Sequence, residues 1–148
     1  KGVSQMQDYK KVLVGTDGSE TANLAFKRAI DFALQNNANL YIIHVVDTRA
    51  SKPYEAFDQS VSNSMRIEAD SILNQYEKQA RDAGIQEVQT ILKYGSPKKT
   101  IPQVINEKEI DIVILGATGL NTFERFFIGS VSEYVVRRAE CDVLIVRQ

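Results

Sequence analysis

Ile112-Val113-Ile114-Leu115-Gly116-Ala117-Thr118-Gly119, followed after residues 120–128 by Gly129-Ser130-Val131-Ser132, is the stretch on which both fold and function turn. Four apolar residues, three of them β-branched, suit a strand buried on both faces of a parallel sheet. A helical pattern begins again at Gly129-Ser130. Glycine lets a backbone approach a ligand closely and adopt positive φ. The N–H groups at a helix start lack intrahelical acceptors and attract anions. Serine hydroxyls there either cap the helix or bind phosphate oxygens. Taken singly, each glycine also suits a turn or a tight helix entry. The spacing G-x2-G-x9-G-S, set between strand and helix, favours a phosphate cradle.

Four further apolar runs lie outward from this one. They are Val12-Leu13-Val14, the run from Leu40 to Val46, Val88-Gln89-Thr90-Ile91-Leu92 and Val143-Leu144-Ile145-Val146. The third alternates as a half-exposed strand does. Between them stand helix-spaced stripes. One comprises Ala22, Ala25, Phe26, Ala29, Ile30, Ala33 and Leu34; another comprises Met65, Ala69, Ile72, Leu73, Tyr76, Ala80 and Ala83, with Gly84 as its stop. Ile101, Val104 and Ile105 give a shorter stripe. Val131, Tyr134, Val135 and Ala139 give the last, with Arg137 and Arg138 at its negative end. Pro97 and Pro102 are read as helix-start prolines. The order β-α-β-α-β-α-β-α-β predicts an α/β fold, an open parallel sheet with helices on both faces and right-handed crossovers.

The chain has 148 residues, a net charge of −1 and one cysteine, Cys141. Length suits one domain, expected over residues 9–148, with residues 1–8 as an extension in which Met6 is a candidate natural start. The charge offers nucleic acid no long-range attraction. A single cysteine allows no intramolecular disulfide and fits a reducing compartment. No apolar run approaches the ~20 residues that span a bilayer. No signal peptide is visible. A cytoplasmic protein without membrane or nucleic-acid partners is expected.

In open α/β sheets the ligand lies beyond the carboxyl ends of the strands, where strand order reverses. Besides the glycine loop, Gly15-Thr16-Asp17-Gly18-Ser19-Glu20 follows a strand. If the first and fourth strands are neighbours, both loops face one crevice. Asp17 then reaches the sugar or base of a nucleotide. A plain cap competes with this: Asp17 or Ser19 suits that role, and Glu20 stands at capping-box spacing from Asp17. The longest irregular stretch, residues 47–59 with Pro53, Tyr54 and Phe57, reads equally as a lid, a partner loop or a mobile connection.

Other chemistries fit less well. A Walker A loop needs G-x4-G-K-[ST], and a dinucleotide fold needs G-x-G-x-x-G after the first strand; neither run occurs. A response regulator needs an acidic pair after the first strand and an aspartate ending the third, where this chain has one acid and Tyr94-Gly95. His44, the sole histidine, lies inside an apolar run and reads as structural. No cluster has metal-ligand spacing. A magnesium or manganese ion would be held mainly by nucleotide phosphates. Lys98, Lys99 and Arg125 are candidates to offset phosphate charge, with a solvated face favoured for the lysines. Phe123, Phe126, Phe127 and Ile128 read as anchors of the glycine-loop excursion.

These motifs together resemble the universal stress protein family. Val-Gly-Thr-Asp-Gly-Ser-Glu at 14–20 is similar to its first-strand motif, and His44-Val45-Val46-Asp47 to its second-strand ending. The glycine-serine spacing is similar to the signature of its ATP-binding subgroup, and residues 141–147 to its final strand. The resemblance runs from about Tyr9 to Arg147. It implies a five-stranded parallel sheet of order 3-2-1-4-5, Rossmann-like, and homodimers that pair the last strand, residues 143–146. It implies that Thr16, Asp17 and the Val45 backbone take the adenosine end of ATP, AMP or ADP. Gly116, Gly119, Gly129, Ser130, Val131 and Ser132 hold ribose and phosphates, with Leu115 nearby. Position 15 is glycine where some ATP-binding members carry other small residues. The expected function is a dimeric ATP-dependent sensor in stress response, signalling to an unidentified protein partner. A slow ATP hydrolase and a nucleotide-independent interaction module are the alternatives. The resemblance assigns no catalytic residue.

Overall fold

The computed structural model describes residues 8–48, 59–118 and 128–148. Five strands alternate with four helices: β1 Lys11–Thr16, α1 Glu20–Asn36, β2 Asn39–Asp47, α2 Gln59–Asp82, β3 Val88–Gly95, α3 Pro97–Lys108, β4 Ile112–Gly116, α4 Ser130–Arg138 and β5 Asp142–Val146. The strands form one parallel sheet of order β3-β2-β1-β4-β5. Val12 pairs with Leu40 on one side and Ile112 on the other, so β1 is central.

The period of two along each strand sorts its side chains between two cores. Val12, Val14, Leu40, Ile42, Ile112 and Ile114 meet Ala25, Phe26, Ala29 and Ala33 of α1 and Leu73, Tyr76 and Ala80 of α2. Leu13, Tyr41, Ile43, Val113 and Leu115 face the other way, onto Ile101, Val104 and Ile105 of α3 and Val135 of α4. Each fully buried aliphatic side chain contributes roughly 1.5–3 kcal/mol relative to exposure. The central strands contain little else. At their amino ends, Asp111 accepts hydrogen bonds from the Lys10 and Lys11 amides at 2.8 and 2.9 Å, aligning β1 with β4.

Three local expectations change. Pro102 lies in the second turn of α3 rather than at its start. The bond it forgoes is to the Lys98 carbonyl, and burial of Ile101, Val104 and Ile105 holds the helix across that gap. Leu34 belongs to the α1 stripe by spacing but is 44% exposed, because Ala33 takes the inward position in the last turn. Helix α2 begins at Gln59, before its first apolar-stripe residue, Met65. Gly84 has φ +110°, as a helix stop requires. The loop residues Pro53, Tyr54 and Phe57 lie outside the described residues.

Candidate functional site

The order 3-2-1-4-5 puts the reversal of strand order between β1 and β4. Their carboxyl ends, Thr16 and Gly116, therefore border one crevice from which α1 and α4 depart on opposite faces of the sheet. The two loops expected to share a ligand do share this edge.

On the β1 side, Ser19 is the N-cap of α1, accepting from the Ala22 amide at 3.1 Å. Asp17 does not cap the helix. Its Oδ1 accepts from the Ser19 amide at 2.9 Å, an Asx turn that leaves the exposed carboxylate at the crevice rim. Gly18 supplies the φ of +79° that the turn needs. Thr16 is buried and its hydroxyl donates to the Ile43 carbonyl at 3.1 Å. Its side chain is thus occupied within the sheet. His44 Nδ1 lies 3.1 Å from the Thr16 carbonyl. A carbonyl only accepts, so Nδ1 carries the proton. This is a strand-tying histidine.

On the β4 side, the glycines divide by role. A Cβ on Gly116 would stand 2.8 Å from the Thr21 carbonyl carbon and 3.0 Å from the Ala22 nitrogen. Gly116 therefore admits the first turn of α1 onto the strand end. Leu115 is buried among the α3 and α4 side chains, and it would meet a Cβ on Gly15 at 2.8 Å. A side chain at position 15 would require the Leu115 methyl to shift. Gly129 is the N-cap of α4. Its amide donates to the Ala117 carbonyl at 2.6 Å, and its own carbonyl accepts from Glu133 at 2.9 Å. Ser132 is buried, donating to the Gly116 carbonyl at 2.7 Å. Gly119, Leu120, Phe123, Arg125, Phe126 and Phe127 lie outside the described residues, so the cradle is described at its two stems only.

Glycine as N-cap offers α4 no side chain for its first amides. The N–H groups of Ser130, Val131 and Ser132 find no acceptor among the described residues. The positive end of the helix dipole, with these donors, thus stands beside the carboxyl end of β4, where the Gly129 amide reaches the Ala117 carbonyl. This donor set fits a phosphate group. Val45 completes the edge from β2, half-buried and aligned with Lys93 of β3.

Of the cations considered for phosphate, Lys98 is turned to an aromatic ring, and Arg125 lies outside the described residues. Lys98 lies with its ammonium 5.7 Å from the Tyr134 ring centre, and Arg138 lies 5.3 Å from the same ring. Both are turned to an aromatic face of α4. Among the described residues no group of three or more His, Cys, Asp or Glu side chains is placed to hold a metal ion. Burial pushes the Cys141 thiol up to about 11, so it stays protonated near neutral pH and is a poor nucleophile. Among the described residues no helix is long and apolar enough to cross a membrane. Sequence reasoning missed Thr21. Its hydroxyl donates to the Thr118 carbonyl, a partner that nothing in the local pattern identifies.

The sequence model of the universal stress protein family matches residues 8–147. A relative from Staphylococcus aureus strain USA300, named "Putative universal stress protein", is 43% identical over 143 residues, covering 96% of this chain and 86% of that protein. Among solved structures, the universal stress protein UspA from Lactobacillus plantarum superposes with a TM-score of 0.83 at 34% identity, covering 94% of this chain and 98% of the other. A universal stress protein crystallised in complex with cAMP superposes with a TM-score of 0.71 at 29% identity, covering 95% and 98%.

Proposed function

We propose that this chain, which belongs to the universal stress protein family, binds an adenine nucleotide in the β1–β4 crevice, with ATP as the preferred ligand. The observation that carries the reading is a helix start without a side-chain cap, whose amides Ser130, Val131 and Ser132 find no acceptor among the described residues. Phosphate oxygens accept from these amides. Gly116 and Gly129 keep the loop stems close to α1 and β4, and Gly119 continues the cradle. Asp17, Thr16 through its backbone, and the Val45 backbone take the adenosine end, beside Leu115. The cAMP complex of a relative supports an adenine nucleotide as the class of ligand. A magnesium or manganese ion, where present, rides on the phosphates.

The protein acts as a cytoplasmic, homodimeric, nucleotide-dependent sensor built on one domain, residues 9–148. Occupancy of the cradle changes the surface offered to a protein partner. The apolar β5 edge supports the dimer.

Ser130→Pro tests the cradle. Position 130 is the first residue of α4, where proline fits the helix but lacks the N–H. Hydrogen bonds to charged groups contribute about 1.5–3 kcal/mol. Calorimetric titration should therefore show ATP binding weakened about 10- to 100-fold. Ser130→Ala, which keeps the amide, should bind within about threefold of wild type. Equal ATP binding by wild type and Ser130→Pro overturns the assignment.

A further inference from the structure

We propose that Thr21, on α1, is the positioning residue that couples the two arms of the nucleotide site. The inference rests on the nucleotide reading above and adds a residue to it.

Three consecutive carbonyls at the end of β4 are each held by a different donor. Gly116 accepts from the Ser132 hydroxyl at 2.7 Å and Ala117 from the Gly129 amide at 2.6 Å. Thr118 accepts from the Thr21 hydroxyl. The first two donors belong to the far stem of the glycine loop, on the β4–α4 arm. The third comes from the β1–α1 arm. Thr118 is the last described residue of the β4 stem, so Thr21 ties α1 to the point from which the glycine loop departs.

The tie continues toward Asp17. Thr21 Oγ1 gives its hydrogen to Thr118, so Ser19 must be the donor in the 3.4 Å contact between their hydroxyl oxygens. That contact is long and weak. The Ser19 amide in turn donates to the Asp17 carboxylate at 2.9 Å. A hydrogen-bonded path thus runs Asp17–Ser19–Thr21–Thr118. It begins at the residue assigned to adenosine and ends at the entry to the phosphate loop. Both middle hydroxyl residues are buried, Ser19 being 4% and Thr21 6% exposed. The first turn of α1 also covers Gly116 directly, which fixes the Thr21 backbone against the strand it ties. The hydroxyl is thus held in place by packing rather than by the bond it makes.

Loss of this hydroxyl frees the Thr118 carbonyl while leaving the adenosine arm intact. Its effect should fall on the phosphate part of the ligand. Thr21→Val is nearly isosteric and lacks the donor. Calorimetric titration of the full chain with ATP and, separately, with adenosine reads the two parts. Thr21→Val should bind ATP about five- to tenfold more weakly, the range for one hydrogen bond, and adenosine within twofold of wild type. Thr21→Ser, which keeps the hydroxyl, should recover ATP binding. Should Thr21→Val fail to fold, Thr21→Ala carries the same comparison. Equal losses for ATP and adenosine, no loss for ATP, or no recovery with Thr21→Ser each overturn the coupling. In those cases wild type still binds ATP and the nucleotide reading stands. Wild type that binds neither ligand overturns both.

Discussion

Side chains and glycines at the crevice serve packing first, and this decides what each substitution should do. Gly116 is the sharpest example. Its α-carbon faces the backbone of Thr21 and Ala22 at contact distance, so a methyl group has nowhere to go. Gly116→Ala should destabilise the fold by about 1–3 kcal/mol, the usual range for overpacking. Urea denaturation with an unchanged m-value checks this; a midpoint equal to wild type contradicts it. Ser132 and Thr16 follow the same logic, each hydroxyl donating to a carbonyl of the sheet edge. Sequence alone could not show this. The pairs Thr16–Ile43, Ser132–Gly116 and Thr21–Thr118 are set by which strands become neighbours, not by any local pattern. What was legible was the place where a helix starts again after β4, at Gly129-Ser130.

Elements were legible in proportion to the regularity of their burial. The runs at β1, β2 and β4 read correctly because strands covered on both faces need apolar residues at nearly every position. The Pro102 position and the exposed Leu34 escaped notice because periodicity reports a face and says little about the ends of helices. The entry to α1 was open between Asp17 and Ser19 since both have the right chemistry. Structure separates them by one turn geometry, with Ser19 on the Ala22 amide and Asp17 on the Ser19 amide. Ser19→Ala should therefore cost about 1 kcal/mol through the lost cap, read as a lower urea midpoint. Asp17→Asn keeps an acceptor for the Ser19 amide and should leave stability unchanged within about 0.5 kcal/mol. A larger loss in Asp17→Asn than in Ser19→Ala reverses the assignment.

For the whole molecule, the two free edges of the sheet are not equivalent. At one edge, β3 bears Gln89, Thr90, Lys93 and Tyr94, polar or charged residues that discourage strand addition. At the other, β5 runs Val143-Leu144-Ile145-Val146, with residues 143–145 only half-buried. An apolar edge of this kind is where a second copy would add. Ile145→Glu should convert the proposed dimer to monomer by sedimentation velocity. The control Tyr94→Glu, on the opposite edge, should leave association intact. Wild type sedimenting as a monomer, or Ile145→Glu remaining dimeric, removes the β5 interface.

The central place of β1 has a consequence for synthesis. Val12-Leu13-Val14 leaves the ribosome before the other four strands, and β2 and β3 can add to one flank of it as they follow. Its other flank waits for Ile112-Val113-Ile114. At about 5–20 residues per second, that delay is on the order of 5–20 s. Throughout it the nascent half-sheet presents a greasy, unpaired border. Chaperone capture of stalled chains should therefore fall once translation has carried Ile114 clear of the exit tunnel, and fall again when β5 covers the outer flank of β4.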